Sequence, residues 1–189
     1  MTLDLRADTA LILDYVKRRV QDYPVYINAG PGKDDAKITQ ITLGYSFDQS
    51  GWVALVFDTR PDAQCDGEWQ AYIEETWCEL PHWWTSIEDF QERGKRLPVT
   101  MPGGSKTTIA PDAEQEDVAA VFGKALHKVL AQACKDNVFA GLPLAKSCLV
   151  VIEDHEGAWG WLGKFDGKTL KVSKGPGGPR EQMMQAAAR

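Results

Sequence analysis

The most regular feature of the sequence is the spacing of apolar residues in two long segments, each of which predicts an amphipathic helix. The first covers residues 2–20 and is followed by Pro24, a residue type that ends helices. Its buried side is predicted to consist of residues three, four or seven positions apart: Leu5, Ile12, Tyr15, Val16 and Arg19. The second begins after Asp112, a suitable cap with Gln115 three residues later, and ends near Asn137. Its apolar stripe has similar spacing: Val118, Phe122, Leu126, Val129 and Ala133.

Alternating and short apolar runs predict two pairs of strands. The first pair is residues 38–47 with Trp52–Asp58, and the second is residues 147–153 with residues 159–165. Each pair is joined by a four-residue turn, 48–51 or 154–157, whose composition is typical of a hairpin. A short further strand is predicted at residues 169–172.

Weaker patterns lie between these two pairs of strands. Residues 66–79 are a helix candidate because aromatic and apolar side chains recur there at helical spacing: Trp69, Tyr72, Ile73, Thr76 and Trp77. A second short helix is predicted at residues 86–96, with Ser86 as its cap. Residues 98–111 are predicted to be a loop.

The order of these elements lacks the strand–helix alternation of a doubly wound fold. We therefore predict a single α+β domain over residues 1–174, with an antiparallel sheet built from hairpins and packed against several helices. A tail at residues 175–189 opens with glycine and proline and is expected to be flexible. The length of 189 residues and the hydrophobic content of 43% are ordinary for one folded domain.

Compartment and broad partner class follow from simple counts. No apolar stretch is long enough to cross a bilayer, and the N-terminus lacks the order of a signal peptide, so we expect a cytoplasmic protein without membrane contact. No Cys-x-x-Cys pair supports a zinc or redox motif, and the thiols are expected to be reduced and mostly buried: Cys65, Cys78, Cys134 and Cys148. The net charge of −6 argues against general nucleic-acid binding.

Fragments of several chemical motifs are present, but none is complete. Residues 101–108 resemble half of a phosphate-binding loop, yet the residue before its lysine is serine where the motif needs glycine. Glu79 and His82 form a single Glu-x-x-His pair, whereas a di-iron site needs two, and Pro81 interrupts a helix between them. Neither a nucleophile elbow nor a dinucleotide-binding loop occurs. We therefore predict no catalytic residue, no metal site and no cofactor.

One stretch combines acidic and aromatic residues to an unusual degree. Between Asp58 and Glu92 there are ten acids and one base, Arg60, so the stretch carries −9. It also contains four of the seven tryptophans: Trp69, Trp77, Trp83 and Trp84. Carboxylates attract basic partners, and tryptophan rings dominate contact energies at interfaces. We predict a binding surface for a basic protein on which Trp83 or Trp84 is an exposed anchor. The steering carboxylates are predicted to be Glu68, Glu75, Glu79 and Glu88.

Three parts of the chain together resemble one family. They are the strand region 41–47, the acidic and aromatic stretch that ends at residues 81–84, and a helix that leads into residues 149–157. With these parts in this order, most of residues 38–160 is similar to small bacterial proteins of unknown function that are proposed to be immunity proteins of polymorphic toxin systems. The resemblance implies a stoichiometric inhibitor whose acidic, aromatic face blocks a basic nuclease toxin. It implies no catalytic residues.

Two other functions remain open beside this binding role. A small enzyme would need a pocket around Cys78, Glu79 and His82, with these side chains converging in a cleft. A self-associating protein would use its tryptophans as the seam of a homodimer. The binding protein is the leading hypothesis because neither alternative has a supporting motif.

Overall fold

The structure is a computed structural model, and it describes residues 2–23, 37–59, 77–165 and 170–171. These ranges contain nine strands and three helices, which form one α+β fold as predicted. In chain order the elements are β1 (Leu3–Asp4), α1 (Leu5–Gln21), β2 (Ile38–Ser46), β3 (Trp52–Asp58), β4 (Cys78–Glu79), α2 (His82–Glu92), β5 (Leu97–Thr100), β6 (Lys106–Ile109), α3 (Gln115–Lys135), β7 (Leu144–Asp154), β8 (Gly160–Phe165) and β9 (Leu170–Lys171).

Six of these strands form one sheet in the order β4–β3–β2–β7–β8–β9. Both predicted hairpins are present, because β2 pairs with β3 and β7 pairs with β8 in antiparallel register, and the predicted short strand is β9. The two hairpins are joined through β2 and β7, which run parallel, with Tyr45 opposite Asp154. A parallel pair requires a long crossover, and here it contains α2 and α3. This parallel contact is a feature that the prediction from hairpins alone did not include.

A second, three-stranded sheet has the order β1–β5–β6. Strands β5 and β6 form an antiparallel hairpin over much of residues 98–111, so the prediction of a loop there is wrong. Each of the two strands has four residues, and β6 is mostly polar, so the pattern is too short to produce a periodic signal. Strand β1 pairs in parallel with β5 and ties the start of α1 to this hairpin.

The two long helices confirm the predictions made from the spacing of apolar residues, since every residue predicted for their buried sides is buried. Helix α3 begins after Glu114, so Asp112 is not its cap. Helix α2 begins four residues before the predicted cap Ser86, which lies inside the helix and is buried. The earlier start has a physical reason, because the ring of Pro81 holds φ at −60°, close to the helical value, directly before the first turn.

Helix α3 lies against the large sheet and holds both hairpins in place. The Tyr45 hydroxyl, near the end of β2, donates to the carbonyl oxygen of Ala119 at 2.7 Å. The indole of Trp159, just before β8, lies over Gly123, where a Cβ atom would overlap the ring. Glycine within a helix lowers its stability, so the close approach of this ring explains the residue. The ends of β2 and β7 are thus fixed beside the first half of α3.

Some predictions fall outside the described residues. The helix candidate at residues 66–79 is described only at its end, where Cys78 and Glu79 form strand β4 instead of a helical turn. The predicted tail at residues 175–189 is also outside the described ranges. Within those ranges, no helix combines the length and apolarity that crossing a membrane requires.

Candidate functional site

The turns that follow β2 and β7 meet at one edge of the large sheet, because these two strands are parallel neighbours. The side-chain amide of Gln49 in the first turn donates to Oε1 of Glu156 in the second at 2.8 Å. The backbone N–H of His155 donates to the carbonyl oxygen of Tyr45 at 2.7 Å. Two turns that are about a hundred residues apart in sequence therefore form one surface.

Strand β4 and the start of α2 extend this edge. The backbone N–H of Leu80 donates to the carbonyl oxygen of Gly51 at 2.7 Å. Gly51 has a φ of +64°, and a Cβ atom there would overlap the carbonyl oxygen of Leu80, so this contact requires glycine. We call the resulting surface the hairpin edge; it consists of residues 46–52, 77–84 and 153–161.

The composition of the hairpin edge differs from that of the remaining chain. It contains no lysine or arginine and five acids: Asp48, Glu79, Glu153, Asp154 and Glu156. It also contains six of the seven tryptophans: Trp52, Trp77, Trp83, Trp84, Trp159 and Trp161. The acidic and aromatic character that the sequence indicated for one continuous stretch is therefore assembled here from three separate segments.

Aromatic rings stack at the outer side of this edge. Trp52 lies with its ring centroid 4.9 Å from that of Trp77 and 5.5 Å from that of His155. Trp52 is buried, Trp77 is half-buried and His155 is exposed, so the cluster extends from the interior to the surface. The indole nitrogen of Trp77 is buried and has no hydrogen-bond partner. In register, Glu79 of β4 is opposite Trp52, which brings a carboxylate to the same cluster.

Asp154 ends β7 and is more deeply buried than the other acids of the hairpin edge, with 2% of its surface exposed against 8% for Glu153. Its Oδ2 accepts the backbone N–H of Ala158 at 3.3 Å, whereas its Oδ1 has no hydrogen-bond partner. Burial raises the pKa of this carboxyl from 3.8 to about 6, and the nearby charges of Asp48 and Glu156 add to the rise. Hydrogen bonding by the backbone of Ala158 and of Glu156 opposes it. Burial and two neighbouring acids thus make the charged form of Asp154 less favourable than that of an exposed aspartate.

A second buried carboxylate lies beneath the start of α2. Asp8 of α1 is 6% exposed, and its Oδ2 accepts the indole N–H of Trp83 at 2.8 Å. Both of its oxygens lie 3.0 Å from Nε2 of His82, whose side chain is 46% exposed. The Trp83 ring also packs against that of Phe122, with centroids 4.4 Å apart. Asp8 therefore joins α1 to α2 and orients an imidazole at the surface.

The predicted site residues divide into three groups. Glu79 is exposed on the hairpin edge, and Trp84 and Glu88 are half-buried one helical turn apart on α2. Trp83 is 1% exposed, so it is a core residue and not an exposed anchor; consecutive helical residues face different ways, which leaves Trp84 as the more accessible ring. The remaining two predicted carboxylates lie outside the described residues: Glu68 and Glu75.

The charge on α2 is weaker than the count over residues 58–92 indicated. Asp89 forms an ion pair with Arg93 at 2.5 Å, and Lys95 and Arg96 follow in an exposed turn. Three bases therefore follow directly after the acids of this helix, and they lie outside residues 58–92. The hairpin edge, which has no such bases, is the more strongly acidic surface.

The acidic and aromatic composition of residues 58–92 did not indicate the hairpin-edge residues that lie outside this range, chiefly Asp48, Trp52, His155 and Glu156. One signal was available, since each predicted hairpin turn carries acids and is followed by tryptophan within four residues. Only the parallel pairing of β2 with β7 makes the two turns one surface, and local patterns do not report such pairing.

The geometry gives little support to the alternative hypothesis of an enzyme site around Cys78, Glu79 and His82. Cys78 is buried and Glu79 is exposed, as expected for neighbouring strand residues that face opposite sides. Burial raises the pKa of the Cys78 thiol from 9.0 to about 11, so the thiol stays protonated at neutral pH and is a poor nucleophile. The described residues contain no group of three or more side chains suited to holding a metal ion.

Comparison with known proteins does not indicate a function for this site. No protein-family model matches the chain, and no curated protein or solved structure is detectably similar to it. The case for a function therefore depends on the charges, rings and contacts of the hairpin edge.

Proposed function

We propose that the protein binds a basic protein partner through the hairpin edge and does not catalyse a reaction. One observation carries the proposal: three segments without lysine or arginine converge at one edge of the sheet, where Glu79 and Glu156 are exposed and Asp48 is half-buried. A surface of this kind accelerates encounter with a cationic partner and repels anionic ones. Burial is the main cause of the raised pKa of Asp154, and the charges of Asp48 and Glu156 add to it through a repulsion that a cationic partner would relieve.

The aromatic rings of the edge supply contact area as well as charge. Trp77 and Trp84 are half-buried and His155 is exposed, so each presents part of a ring to a partner. Arginine side chains stack on such rings and also pair with carboxylates. Trp84 or Trp77 therefore takes the anchoring role in this proposal.

We further propose that the partner is a toxin that this chain inhibits by occlusion, in keeping with the resemblance of residues 38–160 to immunity proteins. The homodimer is the less favoured assembly, because a two-fold interface sets the same patch against itself. The acids of the hairpin edge would then face one another without intervening bases. Light scattering at several salt concentrations tests this expectation, and a dimer that grows weaker in low salt would contradict the heteromeric proposal.

The proposal is tested by removing three charges of the edge with shape-preserving substitutions. The edge variant carries Asp48→Asn, Glu79→Gln and Glu156→Gln. Immobilised wild type and variant are used to capture proteins from a lysate of the source organism, and the captured proteins are quantified. We expect capture of a basic protein by the wild type, and at least about a tenfold loss in the variant at low salt, because rim charges act mainly on encounter and salt dependence.

A matched control variant changes the net charge equally at exposed positions of helix α1 and of the region where α3 starts. It carries Asp14→Asn, Asp112→Asn and Glu116→Gln. Capture by this variant should equal that of the wild type. The proposal is wrong if both variants lose capture to the same extent, because the loss would then report net charge alone, or if the edge variant captures its partner unchanged.

A further inference from the structure

The position of Asp154 gives the hairpin edge a titratable group at its centre. It is the last residue of β7 and lies opposite Tyr45, at the point where both hairpin turns begin. Its carboxyl group is buried, and Oδ1 accepts no hydrogen bond from the described residues. A buried oxygen without a donor is costly when the group is charged and much less so when it carries a proton. The geometry therefore stabilises the protonated acid relative to an exposed aspartate.

The charged groups around Asp154 favour the same form. Asp48 from the turn after β2 and Glu156 from its own turn both act on it with negative charge. Tyr45 of β2 contributes no charge, because burial raises the pKa of its hydroxyl well above the ordinary value and the hydroxyl donates to α3. His155, in the same turn, lies against the ring of Trp52. None of the ion pairs formed by the described residues includes Asp154.

Resting on the proposed function, we propose that binding at the hairpin edge is linked to a proton on Asp154. In a mildly acidic medium the carboxyl group loses this proton when a cationic partner binds, and further acidification restores the proton, which weakens binding. Positive charge beside the edge stabilises the carboxylate, and by linkage the carboxylate stabilises the bound partner to the same extent. The edge therefore holds its partner at neutral pH and releases it in mild acid.

The pH range in which binding should change follows from the pKa of the Asp154 carboxyl group. The pKa of Asp154 is raised from 3.8 to about 6 in the free protein, first by burial and then by Asp48 and Glu156. A partner that lowers it again releases one proton at pH values below about 6. The affinity should then rise by up to about tenfold per pH unit as pH increases toward 6, and level off above it.

The first measurement concerns the free protein and needs no partner. The side-chain carboxyl carbon of Asp154 is followed by NMR between pH 3 and 8. We expect a titration midpoint near 6 in the wild type. Asp48→Asn and Glu156→Gln should each lower the midpoint, because each removes a like charge, whereas Asp14→Asn on α1 should not move it. A midpoint near the ordinary value of 3.8 would overturn the inference and leave the proposed function standing.

The second measurement uses a peptide of ten arginines as a defined cationic probe. Its affinity is measured by tryptophan fluorescence between pH 5 and 8 for the wild type and for Asp154→Asn, which keeps an oxygen that can accept the N–H of Ala158. We expect the wild-type affinity to rise toward pH 6 and the variant to have a flatter profile. Histidine in general takes up a proton in this range, so His155→Gln is the control, and it should retain the pH dependence.

The outcomes separate the two proposals. An absence of peptide binding at pH 8, where the edge carries most negative charge, overturns the proposed function and this inference with it. Binding whose pH profile is the same in wild type and Asp154→Asn overturns the inference alone. A profile that is lost in His155→Gln and retained in Asp154→Asn assigns the proton to the imidazole and overturns the role of Asp154.

Discussion

Asp8 and Asp154 are both buried acids, yet the structure treats their charges in opposite ways. Asp8 lies between α1 and α2, where the Trp83 indole donates to it and the His82 imidazole lies 3.0 Å from both of its oxygens. Asp154 lies between the two hairpin turns, where the N–H of Ala158 donates to it at 3.3 Å and the negative charges of Asp48 and Glu156 act on it. The comparison teaches that burial alone does not define the role of a carboxylate; the donors around it do.

A carboxylate with good donors is an element of stability, because removing it leaves those donors buried and unpaired. A carboxylate with few donors costs the folded state energy whenever it is charged. The first arrangement suits a joint between helices, and the second suits a group that changes its charge. The following predictions test this contrast, from the largest expected effect to the smallest.

Replacing Asp8 should have the largest effect on stability. Asp8→Ala leaves the Trp83 N–H without its acceptor in the core and removes the partner of His82. We expect the free energy of unfolding to fall by about 3–4 kcal/mol, which urea denaturation measures. Asp14→Ala on the exposed side of α1, where Asp14 pairs with the exposed Arg18, should cost less than about 0.5 kcal/mol. Similar losses in the two variants would show that Asp8 has no special role.

Replacing Asp154 should raise the free energy of unfolding at neutral pH, whereas replacing Asp8 lowers it. Because its pKa rises from 3.8 in the unfolded chain to about 6 in the folded protein, the folded state holds the proton more tightly. This group therefore favours folding below pH 4, and that contribution is lost as pH rises through 6.

Asp154→Asn has no charge at this position at any pH. The free energy of unfolding of the variant minus that of the wild type should therefore be larger at pH 7 than at pH 4, by about 2–3 kcal/mol. The measurement is urea denaturation of both proteins across this pH range, and the difference between the curves removes the contribution of other carboxyl groups. A difference that stays constant with pH would contradict the raised pKa.

A smaller effect is expected when only the indole donor is removed. Trp83→Phe keeps a ring against Phe122 but loses the N–H that donates to Asp8. We expect a loss of about 1–2 kcal/mol in the wild-type background. In the Asp8→Ala background the same change should cost much less, because the acceptor is already absent. Additive losses in this double-mutant cycle would mean that the hydrogen bond contributes little.

The smallest effect is expected at His82. Its side chain is nearly half exposed, so water replaces much of what Asp8 provides. We expect His82→Gln to lower the free energy of unfolding by about 0.5 kcal/mol at pH 7, measured in the same way. A loss as large as that of Trp83→Phe would indicate that the imidazole is the main partner of the carboxylate and would sharpen the case for a functional pair there.

Local patterns predicted much of the fold. The helical stripe from Leu5 to Arg19 and the one from Val118 to Ala133 are buried as expected, because a run of several turns repeats its signal many times. The two long hairpins were also predicted, since each has apolar strands on either side of a short turn. The four-residue strands β5 and β6 were not, because so short a stretch contains too few repeats to reveal a period.

The candidate site was predicted only in part, as the acidic and aromatic character of its middle segment. Glu79 was placed at the surface correctly, whereas Trp83 proved to be a core residue. Whether a tryptophan faces solvent depends on what packs against it, and Trp83 meets Phe122 and Asp8, which lie in two other helices. Composition indicated the chemistry of the surface but not the side chains that form it.

By itself, therefore, the sequence determined the individual helices and hairpins and the presence of many acids and tryptophans. The tertiary structure alone decided that β2 runs parallel to β7 and that β3 pairs with β4, and through these two pairings that Asp48, Glu79 and Asp154 belong to one edge. The physical reason is distance along the chain. Helical and strand periodicities arise from neighbours a few residues apart, whereas a pairing across about a hundred residues depends on the packing of everything in between.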